Sequence, residues 1–459
     1  MEDIPLTADP TIAAGFSDWL NYEAYVTFFD RLLAQMGQDP IKAMWFIISH
    51  GGWIVFVILA WYAFTELFLD YKQGKTISKK KYVLLAIDVP RESEQSVKAV
   101  ENTFAHLAGA HSPATWTEKW MDGKVQDCFS IEIISMEGHL QYLIRCLDKL
   151  RDLVEASIYA QYPTAEISQV GDYVPSVPSK YPDEEYELYG NELMPVKSDV
   201  YPIKTYVDFE HSLTGEFKDP LAAVLEAFSR LGPGEQAWYQ MILIPIDQKD
   251  FGVKAQAEVS KLKGDPPKVA KKSMVEELLD FPVKLITGIG ASLLGMAVGE
   301  KEAKKDDKTM KMLMLSPGER NVIEAIERKR SKIQFLCKIR FIYVAKKEVF
   351  SKPRILQSFI GAIKQFNAND LQSLKPESKK VGVSSTILLM KERRNNRRKN
   401  KLIEAYRNRS PGMGLPPFHL GVDEIASLWH LPVVKNVKAP QLKKTEAKKI
   451  EPPINLPFG

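Results

Sequence analysis

The sequence predicts an α+β protein, in which one long apolar N-terminal helix precedes two small modules that repeat the element order βαββαβ. Three observations predict it. Ala43 to Thr65 is an uncharged run of about 23 residues, where roughly 20 are enough to cross a bilayer. From Tyr82 to Val170, and again from Ile203 to Met390, strand-like alternation and helix-like spacing follow one another in the same order. Composition is that of ordinary folded protein, with 459 residues, 45% hydrophobic and 26% charged, enough for two or three domains.

The apolar run reads as a transmembrane helix over 43–65. Its leader is acidic and no small-residue cleavage motif follows, so a signal peptide fits poorly. Trp45, Trp53, Trp61 and Tyr62 sit near its ends as interfacial aromatics do. Arg31 and Lys42 are the basic residues before it, whereas Lys72, Lys75, Lys79, Lys80 and Lys81 follow it. That asymmetry predicts a single-pass protein of the plasma (inner) membrane, with residues 1–42 as an extracytoplasmic tail and the bulk cytoplasmic.

In the first module, 82–171, Tyr82–Pro90 reads as a buried strand and Val97, Val100, Phe104 and Leu107 mark a helix. Phe129, Ile131 and Ile133 alternate with polar residues, the chain turns at Glu137-Gly138, and Leu140, Tyr142 and Ile144 return. An amphipathic helix through Leu150, Val154 and Ile158 and a short strand over 165–170 complete a split βαβ, or ferredoxin-like, order. Residues 172–200, rich in Tyr, Pro, Asp and Glu, read as a linker.

The second module, 201–391, opens with a strand over Ile203–Phe209 and a helix capped by Asp219-Pro220 and stopped at Gly232. Buried strands follow at Ala237–Ile246 and Ile333–Tyr343, then a helix over 351–366 and a last strand over Val381–Met390. A helical insert, 248–327, splits this module. Its apolar stretch Leu285–Val298 is 14 residues long, too short to span a membrane.

Chemistry is sparse in this chain. Gly74-Lys75-Thr76 ends like a phosphate loop, but Leu69 stands where the pattern needs glycine, and no strand precedes it. His106 and His111 have no metal-type acidic partner, and His50 lies in the apolar run without one. Cys128, Cys146 and Cys337 fall in apolar strand-like runs without C-x-x-C spacing. The sequence therefore predicts no catalytic, cofactor or metal site, and a protein that is not an enzyme.

Its strongest polar feature is Lys391–Arg409, where nine basic residues meet only Glu392 and Glu404. Arg393, Arg394, Arg397, Arg398 and Lys401 recur at three- and four-residue spacings, which places charge along one side of a helix able to follow phosphates. Anionic lipid, an acidic protein face and plain solvation are the competing readings.

Several strings together resemble a known family. Phe129–Ser135 (FSIEIIS), Arg151–Pro163 (RDLVEASIYAQYP) and Glu235–Ile246 (EQAWYQMILIPI) resemble the membrane-proximal, non-ATPase region of coupling-type proteins in bacterial type IV secretion and conjugative DNA transfer. Gly421–Pro432 and Lys448–Pro457 are similar to the segment that precedes a HerA/FtsK-type motor in such proteins. The chain ends at Gly459, where that motor would begin, so the resemblance implies a motor ATPase on a separate polypeptide. It further implies a membrane-anchored scaffold that positions the motor, with 392–459 as a basic helix and partner-docking tail. Other transfer components are its implied partners, DNA or anionic lipid are candidate contacts, and homo-oligomerisation is open. The alternatives are a membrane-bound ligand- or peptide-binding regulatory module, and a non-catalytic part of a surface-appendage system.

Overall fold

The structure is a computed structural model that describes residues 45, 53–89, 95–210, 219–264, 315–377, 379–383 and 390–432. The chain divides into two compact units, Met1–Gly74 with Lys271–Glu300, and Lys75–Ala270 with Lys301–Gly459. Of the first unit, the described part is mainly the start of helix α1, Trp53–Ser78. Its side chains Trp53, Phe56, Trp61, Phe64 and Leu67 are exposed.

Helix α1 corrects the membrane reading. Among the described residues, no helix is long and apolar enough to cross a membrane. The helix is uncharged only from Trp53 to Thr65 and continues into Glu66, Asp70, Lys72 and Lys75, about 13 uncharged residues where roughly 20 are needed. Residues 43, 44 and 46–52 of the expected span lie outside the described residues. The single-pass topology and the inner-membrane placement drawn from the span are withdrawn with it.

The second unit runs β1 (Tyr82–Asp88), α2 (Val97–Leu107), β2 (Phe129–Met136), β3 (His139–Leu147), α3 (Arg151–Tyr159), β4 (Glu166–Val170) and β5 (Tyr186–Pro195). It continues with α4 (Ala222–Ser229), β6 (Glu235–Pro245), α5 (Gln248–Leu262), α6 (Pro317–Arg330), β7 (Gln334–Lys346) and α7 (Lys352–Lys364). The last elements are β8 (Leu374–Pro376), α8 (Lys391–Arg407), β9 (Phe418–Gly421) and α9 (Val422–Leu428).

The expectation of two separate four-stranded sheets is also corrected. The fold is mixed α/β around one nine-stranded antiparallel sheet, in the order β4-β1-β3-β2-β6-β7-β5-β8, with β9 on β7. β2 and β6 join the halves, in register from Phe129 opposite Leu243 to Met136 opposite Gln236. Read outward from that junction, each half has the same internal order, β2-β3-β1-β4 and β6-β7-β5-β8. The junction covers two edges whose unpaired N–H and C=O groups would otherwise invite foreign strands.

The second half also differs in its parts. Its first strand, β5, lies inside 172–200, the expected linker. Residues 203–209 form no strand; Tyr206–Phe209 is a 3₁₀ turn in which Thr205 N–H donates to the Asp208 carboxylate at 2.7 Å. The short strand β8 precedes the expected one over 381–390, of which 384–389 lie outside the described residues. Both ends of the insert are helical. Pro317 starts α6, the Ser316 hydroxyl accepts from the Glu319 amide, and the Glu319 carboxylate accepts from the Ser316 amide at 2.8 Å, so two donors at the helix start find an oxygen reciprocally. Phe251, Ala255 and Val259 of α5 pack with Ile323 and Ile326 of α6 in a small core of their own. The stretch Leu285–Val298 lies outside the described residues.

One apolar core runs through both halves of the sheet. Phe341 of β7 stacks on Phe359 of α7 at 4.1 Å, and Phe228 of α4 lies beside both. Complete burial of such a ring contributes roughly 1.5–3 kcal/mol. Trp429, just after α9, packs on Phe104 and Tyr142. The stretch from Gly421 to Pro432, expected in the docking tail, is therefore part of the fold as far as it is described. Residues 433–459 lie outside the described residues.

Candidate functional site

Strand pairing brings four polar residues side by side across the middle of the sheet. Glu132 of β2 faces Gln240 of β6, Gln240 faces Arg340 of β7, and Arg340 faces Glu192 of β5. Directly paired residues project from the same face, and none of the four is more than 1% exposed. They are bonded in series. Gln240 Nε2 donates to Glu132 Oε1 at 3.0 Å, Arg340 Nη1 donates to Gln240 Oε1 at 3.2 Å, and Arg340 Nε donates to Glu192 Oε1 at 2.8 Å.

The ends of this row are closed by the segment after α8. Arg409 donates to both Glu132 oxygens, at 3.0 and 3.3 Å, and to Asp172 at 2.5 and 2.9 Å. Tyr173 adds a hydroxyl bond to Glu132 at 2.8 Å. Burial raises the Glu132 carboxyl, but the Arg409 guanidinium outweighs it and holds the group below its usual range. Burial likewise opposes the Arg409 charge, and Glu132 and Asp172 more than restore it. At the other end, Leu415 N–H donates to Glu192 at 2.6 Å. Gly414, at φ +96°, makes this wrap possible, because a Cβ there would strike the Glu192 carboxylate.

Helix α8 is held on this row by its last turn. The orphan carbonyls at a helix C-terminus need donors, and Arg340 supplies Ala405 O at 3.1 Å, then Ser410 O and Met413 O beyond the helix. Lys338 donates to Met413 O at 2.7 Å, and burial pushes its ammonium down to about 8. Leu402, Ile403 and Tyr406 are buried beneath the helix. Gly190 of β5 lets Leu402 come close, since a Cβ at Gly190 would collide with it and with Phe341 O.

The five basic residues singled out by sequence separate into two sets. Arg393, Arg397 and Lys401 are exposed, at i, i+4 and i+8, and so form a stripe along the outer side of α8. Arg398 turns back and donates to Gly382 O at 2.9 Å and to Lys379 O. Arg394 is only partly exposed and also has interactions within the chain. Lys399 pairs with Glu187, and Asn400 exchanges two bonds with the Tyr181 backbone. The stripe is thus presented by a helix anchored on its other side.

The buried row escapes sequence reading, although a signal is present. Alternation assigns Ser130 and Glu132 to the solvent side of a strand, yet Glu132, Gln240 and Arg340 stand at alternate positions inside the most apolar strands. Opposite charges there mark a polar layer that another element must cover. The thiols conform to burial: Cys146 and Cys337 are buried, Cys128 is half-buried, and burial pushes Cys146 up to about 12. Among the described residues, no group of three or more His, Cys, Asp and Glu is placed to hold a metal ion.

Residues 110–444 match the family model of DUF8128, a domain of unknown function. The chain belongs to this family. The DUF8128 match starts after α2 and takes in β2 through β9, and so all four residues of the buried row and the whole of α8. No curated protein matches the chain.

Proposed function

We propose that this DUF8128 protein is a non-enzymatic scaffold of a type IV secretion-like, conjugative DNA-transfer machine, in which α8 meets DNA beside a motor ATPase. The observation that supports this reading is the exposed stripe Arg393, Arg397 and Lys401 on a helix whose opposite side is held by buried Leu402, Ile403 and Tyr406 and by the bond from Arg340 to Ala405 O. A rigid row of cations at one-turn spacing suits the regular phosphates of a duplex, because each cation that meets a phosphate releases condensed counterions without ordering a flexible arm. The link to DNA transfer itself rests on the sequence resemblance.

The reading predicts sequence-tolerant binding of the full chain to duplex DNA, measured by fluorescence anisotropy between 50 and 200 mM salt (about the range in which such binding weakens most). Changing Arg393, Arg397 and Lys401 together to Ala flattens the slope of log K against log salt by about two to three, roughly 0.9 for each phosphate no longer neutralised. Binding unchanged in the triple variant overturns the assignment of α8. Loss of binding to anionic vesicles with DNA binding intact reassigns the stripe to lipid.

A further inference from the structure

A cavity of about 420 Å³ lies where the end of α8 meets β1 and β3, lined by Lys80, Tyr82, Asp127, Arg145, Arg407 and Ser410 among others. This volume is within the range of small-molecule sites, roughly 300–1,000 Å³. The cations around it are unequally matched. Lys80 and Lys149 both pair with Asp127, at 2.5 and 2.7 Å. Arg409, also in the wall, is taken up by Glu132 and Asp172. Arg145 and Arg407 have no carboxylate within ion-pair distance among the described residues.

Arg145 is the more informative of the two. Its guanidinium lies 3.8 Å over the Tyr82 ring, so one face is occupied while the N–H edges remain available. Its side chain donates to no described residue, although the residue is half-buried and close to the charge of Arg409. Burial and that like charge work against its protonated form and outweigh the support it draws from Tyr82 and, from beyond ion-pair distance, Glu132. A desolvated fork of donors with no acceptor is costly in a folded protein, and an anion relieves it. Two unmatched positive charges at one cavity suit a dianion, and a phosphate monoester carries about −1.5 to −2 at neutral pH.

We propose that this cavity binds a small molecule bearing a phosphate monoester, its phosphate held by Arg145 and Arg407 and the remainder occupying the cavity. The site is separate from the outer stripe of α8 and does not depend on the DNA reading.

Calorimetric titration of the full chain tests the proposal, carried out in the Arg393/Arg397/Lys401→Ala background so that the stripe contributes nothing. The probes are inorganic phosphate, glycerol 3-phosphate and AMP, with glycerol and adenosine as uncharged controls. One saturable site is expected for the phosphates, tighter for the organic esters, and none for the controls. Arg145→Gln and Arg407→Gln each weaken binding at least about tenfold, the worth of one charge-assisted hydrogen bond, and Arg145→Lys restores only part because the planar fork is lost. Arg407 is at a helix end and partly exposed, so its variant carries the test if Arg145→Gln fails to fold. Phosphate binding that survives Arg407→Gln, equal binding of AMP and adenosine, or no saturable phosphate binding overturns the proposal.

Discussion

Replacing Arg340 with Leu lowers the unfolding free energy by about 3–5 kcal/mol, the usual cost of leaving a buried charge without its partner. A domain has only roughly 5–15 kcal/mol in all, so the variant is near the edge of folding. Arg340 is fully buried and Glu192 nearly so. Leu removes the counter-ion of Glu192 and also the donors to Gln240, Ala405 O, Ser410 O and Met413 O. Urea denaturation measures the loss. The double variant Arg340→Leu/Glu192→Leu recovers part of it, because no unpaired buried charge is left, while Gln240, Ala405 O, Ser410 O, Met413 O and the Leu415 N–H still lose their bonds to the two side chains. A single variant as stable as the parent would mean that the row is solvated, against its burial.

Trp238→Ala has a comparable effect, about 3–5 kcal/mol for a large aromatic deleted from a packed core. Trp238 lies on β6, opposite Ile134 of β2, at the junction of the halves. Its ring meets Tyr173 edge-on at 5.1 Å and Tyr406 at 5.3 Å, and so ties the strands to α8. Trp238→Phe costs much less. The indole Nε1 is buried without a hydrogen-bond partner among the described residues, so Phe gives up area but no bond, and it removes an unsatisfied donor. If Phe proves as damaging as Ala, the indole N–H has a partner that this geometry does not contain.

Much of the fold was legible because strands and helices each carry their own period. The alternation in Ile333–Tyr343 located β7, and the apolar runs at 82–90 and 237–246 located β1 and β6 within a few residues. β5 was not legible, since Gly190, Asn191 and Glu192 interrupt any apolar pattern in Tyr186–Pro195. Those residues are buried because Leu402 needs the space at Gly190 and Arg340 needs Glu192, both facts of tertiary packing. The fusion of the sheets was hidden for a related reason. Alternation says which positions share a face but not which edge another strand covers, and it assigns polar positions to water by default. Glu132 and Gln240 are the exceptions that join the halves.

The site was half legible. Composition located α8 and its charge, but a helix that is basic on nearly every side does not reveal which cations face outward. Arg398 was drawn inward by the carbonyls of 379 and 382, and Arg409 by Glu132 and Asp172. Neither attraction is local in sequence. The membrane reading failed for a different reason: the described part of α1 holds an uncharged stretch only from Trp53 to Thr65, and no helix among the described residues is long and apolar enough to cross a membrane.

The claim on which the rest depends is that both halves form one cooperative sheet through the β2–β6 junction, with α8 locked across it. Native-state hydrogen exchange in increasing denaturant tests this most directly. One sheet predicts that amides of β2 and β6 bonded across the junction are as protected as those inside β1 and β7, and that all converge on a single global unfolding transition. Junction amides exchanging like those of an open edge, or two plateaus that divide β1–β4 from β5–β8, would contradict it.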